Sequence, residues 1–359
     1  MKNRRMSLPL SLFLYGAFLA VGVFSFFLVF ERLPWLLEGN MRGVFAFLTG
    51  ISPVPVRAEA EDESLPEEGG DEEKLLIFLP DEGAIPGIVL REERSPDGSG
   101  SESTKADEPL PDNAEPVKAL TIKTSLAPKN NPDLSFDVEE LLDTDPVFDR
   151  RKDAILIVHT HGCESYSLSP KAFVADNSDA RTRDPEKNVV AVGDVLEEEL
   201  EKRGFRVIHD RTMCDEAGFN TAYKTALGVI EREMAKDPSI AMVLDIHRDS
   251  LSSSDGTRYK LLSGDGKSSQ IMFVVGSGAL LSHPGWRSNL AFALHLEKKA
   301  SELYEDLARP VTISKNRYNQ HVTPLSLIVE CGTEANTLSE AKEAVRRLAL
   351  ILDGVLPPA

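Results

Sequence analysis

From Asp153 onward, short apolar runs rich in β-branched residues alternate with longer segments whose apolar residues recur at helical spacing. This alternation constrains the fold more than any other feature. Ala154–Val158, Phe205–Ile208, Ile240–Ile246, Ile271–Val275 and Leu325–Val329 read as strands. Helices are expected over Asn188–Gly204, Asn220–Lys236, Trp286–Leu307 and Ser339–Leu352. The first places Val189, Val192, Leu196 and Leu200 on one face, with Asp184-Pro185 as its expected start and Gly204 as its stop. Strands joined through helices run mostly parallel, so the expected fold class is α/β, a mostly parallel sheet flanked by helices. Sites in such sheets form at the carboxyl ends of the strands.

The residues before Asp153 have a different character. Lys2, Arg4 and Arg5 precede an uncharged run from Met6 to Phe30, which Glu31 and Arg32 close. Roughly 20 apolar residues span a bilayer core. The run exceeds the apolar region of a signal peptide, and Phe24, Phe26 and Phe27 make a poor cleavage site. Residues 1–33 are therefore expected to be an uncleaved transmembrane helix. Its basic flank puts the N-terminus in the cytoplasm and the rest of the chain outside. Residues 34–56 form a juxtamembrane apolar segment too short to span. Between Arg57 and Lys118 there are 19 acidic residues against 6 basic ones, within a formal net charge of −18. That balance lacks the basic face a nucleic-acid binder needs. It gives residues 57–130 the composition of an acidic, largely disordered linker. An apolar island at Leu75–Leu79 and Ile85–Leu90 reads as a hairpin or a partner-binding strand, and Leu120–Leu126 as an isolated strand. Residues 131–152 connect this linker to a working domain at 153–359.

Three expected strand ends carry the reactive side chains. The first runs into His159-Thr160-His161-Gly162-Cys163-Glu164, the third into Asp245-Ile246-His247-Arg248-Asp249, and the last into Glu330-Cys331-Gly332. Two imidazoles and a carboxylate around one ion, with a position left open for water, meet the needs of catalytic zinc. A further carboxylate must then move the proton. His161, Glu164 and His247 are the expected ligands and Glu330 the expected general base and acid. His159 lies two residues before His161 and could chelate with it, but is expected to support a ligand or to meet substrate instead. Asp249 or Asp245 orients an imidazole, and Arg248 is a candidate clamp for a substrate carboxylate. His209, His283, His295 and His321 read as structural or exposed. Cys163 and Cys331 flank the proposed site. They are expected to approach one another, either as a disulfide or as two unpaired core residues, the second being preferred.

His159-Thr160-His161-Gly162-Cys163-Glu164-Ser165-Tyr166 resembles the HTHxxESY signature of the stage II sporulation protein P family. Asn188-Val189-Val190-Ala191-Val192-Gly193, Asp245-Ile246-His247-Arg248-Asp249, Tyr318-Asn319-Gln320, Leu327-Ile328-Val329-Glu330-Cys331-Gly332 and Asn336-Thr337 resemble its further blocks, in the same order, across about Asp153 to Leu352. Gly162-Cys163 within the first block and Cys331 in the later one depart from it. The resemblance implies a zinc-amidase-like fold and a peptidoglycan hydrolase of spore engulfment. The expected activities are N-acetylmuramoyl-L-alanine amidase and cross-link endopeptidase. It implies work alongside a lytic transglycosylase and a membrane anchoring protein. It also implies that Arg248, Asn319 and Gln320 line the substrate groove. The competing expectations are a zinc carboxypeptidase-like or deacylase enzyme acting on another amide, and a non-catalytic wall-binding module.

Overall fold

The computed structural model describes residues 88–90, 110–111, 114–175, 177 and 179–358. The expected anchor at 1–33, the juxtamembrane segment at 34–56 and the Leu75–Leu79 part of the apolar island lie outside the described residues. Among those described, no helix is long and apolar enough to cross a membrane.

The strands are β1 Ile88–Leu90, β2 Val117–Ile122, β3 Lys129–Asn130, β4 Ala154–Val158, β5 Arg206–His209, β6 Ile240–Asp249, β7 Arg258–Leu261, β8 Ile271–Gly276, β9 Thr312–Ser314 and β10 Leu325–Thr333. The helices are α1 Val138–Leu142, α2 Val189–Lys202, α3 Ala222–Lys236, α4 Trp286–Leu303 and α5 Leu338–Val355. Seven strands form one sheet in the order β3-β9-β8-β10-β6-β4-β5. Every pairing in it is parallel except β8 with β10. The expected α/β class, mostly parallel and flanked by helices, is the one observed.

The β-strand pleat sends alternate residues to opposite faces, and here the two faces are covered unequally. Ile155 and Ile157 of β4, Leu244 and Ile246 of β6, and Leu327 and Val329 of β10 pack with α2, α4 and α5 in one large core. Leu156, Val158 and Val243 face the other way, onto Ala226, Val229 and Ile230 of α3. Ile155, Leu156 and Ile157 are fully buried. Burial of that kind stabilises by about 1.5–3 kcal/mol per side chain. Past α3, the same face over β8 and β10 holds Met272, Val274 and Ile328, with the half-buried Tyr223 and Tyr318 against them.

Helix boundaries shift where local capping wins over composition. Asn188, rather than Asp184-Pro185, caps α2 by accepting the Val190 N–H at 2.9 Å. Thr337 and Glu340 form a capping box at the start of α5. The ordered body also begins before 153. β2 pairs in parallel with β7, and β3 with β9, so Val117–Ile122 and Lys129–Asn130 are strands of two sheets. Local composition could not reveal this, because both pairings join residues more than 100 positions apart.

Candidate active site

β4 ends at Val158, and the chain then turns so that the Glu164 N–H donates to the His161 carbonyl at 3.0 Å. This turn separates the two histidines that a continued strand would have aligned. His159 keeps the alternation of Ile155 and Ile157 and points to the α2 face. Its Nε2 lies 2.7 Å from Nε2 of His209, whose Nδ1 lies 3.1 Å from Oε2 of Glu197 on α2. Gly193 of α2 opens the space for this pair. A Cβ there would stand 2.7 Å from His209 Nε2 and 2.8 Å from His159 Nε2.

On the opposite face, Asp245 and His247 share the side of Val243. Nδ1 of His247 lies 3.5 Å from Glu164 Oε2, and its Nε2 lies 3.1 Å from Asp245 Oδ1. The second contact is an ion-pair distance without hydrogen-bond geometry. Asp245 also accepts from the Thr160 N–H at 2.8 Å and from its hydroxyl at 2.5 Å, tying the end of β4 to β6. The His161 ring stands edge-on to His247, with centroids 5.4 Å apart. It stacks on Phe219 at 4.3 Å and meets Tyr223 edge-on at 5.5 Å. Its Nδ1 lies 3.8 Å from Oδ2 of Asp215. That carboxylate accepts the Cys163 N–H at 3.1 Å and pairs with Arg181. Glu330 sits directly across from His247 in the β10/β6 register. Its Oε2 is buried without a hydrogen-bond partner. His161, Glu164, His247 and Glu330 are thus gathered at the carboxyl ends of β4, β6 and β10.

Charge in this site is strongly biased. Burial works against the Glu164 carboxylate, yet His247 and Arg248 hold its pKa well below the usual range. Burial likewise opposes a charged His247, but Asp245 and Glu164 overcome it and raise its pKa well above the ordinary value. Burial raises Glu330 to about 8, with His247 acting in the other direction. His159 is pushed down by burial to about 3, His161 to about 4 and His209 to about 4.

These three depressed histidines set an acid limit. Each binds fewer protons folded than unfolded between its folded pKa and about 6.5, so each removes stability as pH falls through that window. His283 is depressed in the same way, while Glu330, Glu297 and His247 act in the other direction because their folded pKa values are raised. The His247 contribution is small below about pH 6.5, where an unfolded imidazole is itself protonated, so the depressed histidines leave a net loss. The metal-free protein should therefore unfold more easily at pH 4.5 than at pH 6.5 in a denaturant titration followed by circular dichroism. Equal midpoints at the two pH values would show that these imidazoles are not buried as described.

Several residues expected to meet substrate are engaged internally instead. Arg248 is buried, and its guanidinium donates to the Ser165 carbonyl at 3.1 Å and the Asp179 carbonyl at 2.9 Å. It pins the segment after Glu164, and its own N–H donates to Glu164 Oε2 at 3.0 Å. Gln320 is buried between the Gly276 N–H and the Val274 carbonyl, each at 2.8 Å. Asn319 donates to the Tyr223 carbonyl at 2.8 Å and adopts a left-handed backbone. These two hold the chain before β10 through those bonds. Asp249 pairs with Arg309 at 2.7 Å. All three cysteines are free. Cys331 faces the large core, on the side opposite Glu330, so it does not meet Cys163. Asp215, Phe219, Tyr223 and Tyr318 border the site without having been singled out, since no local pattern distinguishes them in the sequence.

Two imidazoles and one carboxylate, with Asp245 and Asp215 beside them, are donor types that suit zinc, although their ligand atoms do not all lie within 4.8 Å of one another. Among the described residues, the trio whose ligand atoms all lie within 4.8 Å of one another is a different one, Asp194, Glu197 and His209. Arg211 already occupies it, at 2.8 Å from Asp194 and 2.5 Å from Glu197. It therefore reads as an ion-pair network on the α2 face.

The description Stage II sporulation protein P (SpoIIP) matches residues 83–353. The chain belongs to that family. The stage II sporulation protein P of Bacillus subtilis (strain 168) is 29% identical to it over 211 residues, covering 55% of this chain and 50% of that protein. The chain thus matches about half the length of this curated relative of the SpoIIP family. Among solved structures, the CwlD amidase of Clostridioides difficile in complex with the GerS lipoprotein aligns at a TM-score of 0.35 and 14% identity, covering 56% of this chain and 94% of that one. The N-acetylmuramoyl-L-alanine amidase AmiC2 of Nostoc punctiforme aligns at 0.33 and 13% identity, covering 57% and 95%.

Proposed function

We propose that this SpoIIP-family chain is a zinc-dependent peptidoglycan hydrolase that cleaves the amide between N-acetylmuramic acid and L-alanine. The observation that carries this reading is the gathering of His161, Glu164 and His247 at strand ends opposite Glu330, one of whose carboxylate oxygens is buried without a hydrogen-bond partner among the described residues. His161, Glu164 and His247 would hold the metal. When bound, zinc would polarise the scissile carbonyl and acidify a water molecule. Asp245 and Asp215 orient the two imidazoles. Glu330 takes the proton of the attacking water and returns it to the departing nitrogen. A pKa near 8 suits a group that must both accept and release a proton near neutral pH. Phe219 and Tyr223 pack about His161 and restrict its ring.

Family membership supports action on the cell wall in sporulation, together with cross-link endopeptidase activity, a lytic transglycosylase and a membrane anchoring protein as partners. The uncharged run from Met6 to Phe30 supports attachment to the membrane, with the hydrolase domain outside.

The purified full-length chain, incubated with peptidoglycan and followed by mass spectrometry, tests the reaction. Free stem peptides should appear, vanish with a chelator and return with added zinc. Uncrosslinked stems still attached to glycan would assign the main activity to the endopeptidase. No product from folded, zinc-loaded protein would sink the hydrolase reading for the isolated chain.

A further inference from the structure

Beyond Glu330, the same sheet face continues to a positively charged corner with no assigned role. Glu330 lies opposite Met272, Val274 opposite Thr312, and Thr312 opposite Lys129. Paired residues share a face, and the Thr312 hydroxyl, 3.2 Å from the Met272 sulfur, lies on that side. Lys129 is therefore three strands from Glu330 on the same face, roughly 14 Å across at the usual strand spacing and two residues further along the strands. Lys129 is exposed. Arg309 is buried, and only its Nη1 is engaged, donating to Asp249 Oδ2 at 2.7 Å.

Nε and Nη2 of Arg309 are buried without partners. Together they make the side-on edge of a guanidinium, the geometry that grips a carboxylate with two parallel hydrogen bonds. Although Lys129 reaches solvent, the surrounding protein and then Arg309 lower its pKa, with Asp249 acting the other way. Arg309 is thus paired with Asp249, and Lys129 stands on the same sheet face.

We propose that Arg309 and Lys129 form a subsite that binds a free carboxylate of the substrate peptide, downstream of the bond that Glu330 helps to cleave. The inference rests on the hydrolase reading above. An extended peptide advances at most about 3.3–3.6 Å per residue. With the reach of a lysine side chain, the roughly 14 Å span suits a carboxylate on the second or third residue of the stem.

Three soluble N-acetylmuramoyl tripeptides test this: the free acid, the form amidated at residue two and the form amidated at residue three. Wild type should lose about tenfold or more in kcat/KM on one of the two amidated forms, which also identifies the carboxylate read. Lys129→Gln and Arg309→Lys should bring that ratio close to one, and Lys129→Arg should keep it. Wild type indifferent to both amidations would overturn the subsite. So would a Lys129→Gln or Arg309→Lys loss equal on all three compounds, which would mean that the pair merely supports Glu330. Should no compound be cleaved, the hydrolase reading fails on its own. The subsite is still decided by calorimetry on Glu330→Gln with the same compounds. Tighter binding of the free acid that disappears in Glu330→Gln/Lys129→Gln supports it, and equal or undetectable binding of all three overturns it.

Discussion

Glu330→Gln should lower the rate of stem-peptide release by about 10²- to 10⁴-fold while the protein still binds one zinc per chain. The two halves of this result have separate causes. Glu330 faces His247 across the β10/β6 register, but Glu164, and not Glu330, makes the 3.5 Å approach to the His247 ring. On the proposed assignment, its removal takes away the proton carrier and leaves the three ligands in place. Glutamine has the same shape and cannot cycle a proton. In the metal-free protein burial raises the Glu330 pKa to about 8, so the neutral amide should also be tolerated there without loss of stability at pH 7. Activity within a factor of a few of wild type would remove Glu330 from the reaction. Loss of zinc in this variant would instead make it a ligand.

His247→Ala should be more damaging, because it removes a ligand and a buried cation together. In the metal-free protein, His247 stands between Glu164 and Asp245, which are both buried. Deleting one partner of a buried ion pair costs about 3–5 kcal/mol, since the remaining carboxylates keep their desolvation penalty and lose their counter-charge. We expect a lower denaturant midpoint, no zinc retained after dialysis and no release of stem peptides. His159→Ala offers the contrast. Its ring lies on the other face, against His209 and Gly193, so zinc stoichiometry should stay near one. Zinc retained by His247→Ala and lost from His159→Ala would reverse the ligand assignment.

Pattern alone located most of the proposed site. The β-branched runs at Ala154–Val158 and Leu325–Val329, separated by helical periods, required a mostly parallel sheet. The reactive residues fall just past those runs, which is enough to bring His161, Glu164, His247 and Glu330 to one edge. Residue type then narrowed the chemistry, because imidazoles and carboxylates in that proportion suit zinc. The same argument could not separate His159 from His161. They differ by two positions, and only a turn that breaks the strand at Val158 sends them to opposite faces.

Partners distant in the chain were decided by tertiary structure. Arg248, Asn319 and Gln320 are polar residues near the site, and sequence cannot tell whether such groups face a ligand or a backbone carbonyl. Folding supplies the carbonyls of Ser165, Asp179, Tyr223 and Val274, and a buried donor must take whichever acceptor encloses it. Asp215 reaches His161, and Arg309 reaches Asp249, across separations of 54 and 60 positions. β2 and β3 likewise gain their partners from residues far downstream. The fold class was legible in the sequence, and so were the residue types of the proposed site, because periodicity and side-chain type are local properties. Which side chain faces the substrate and which one holds the protein together was decided only by tertiary structure, because each buried polar group must find its partner wherever the fold places one.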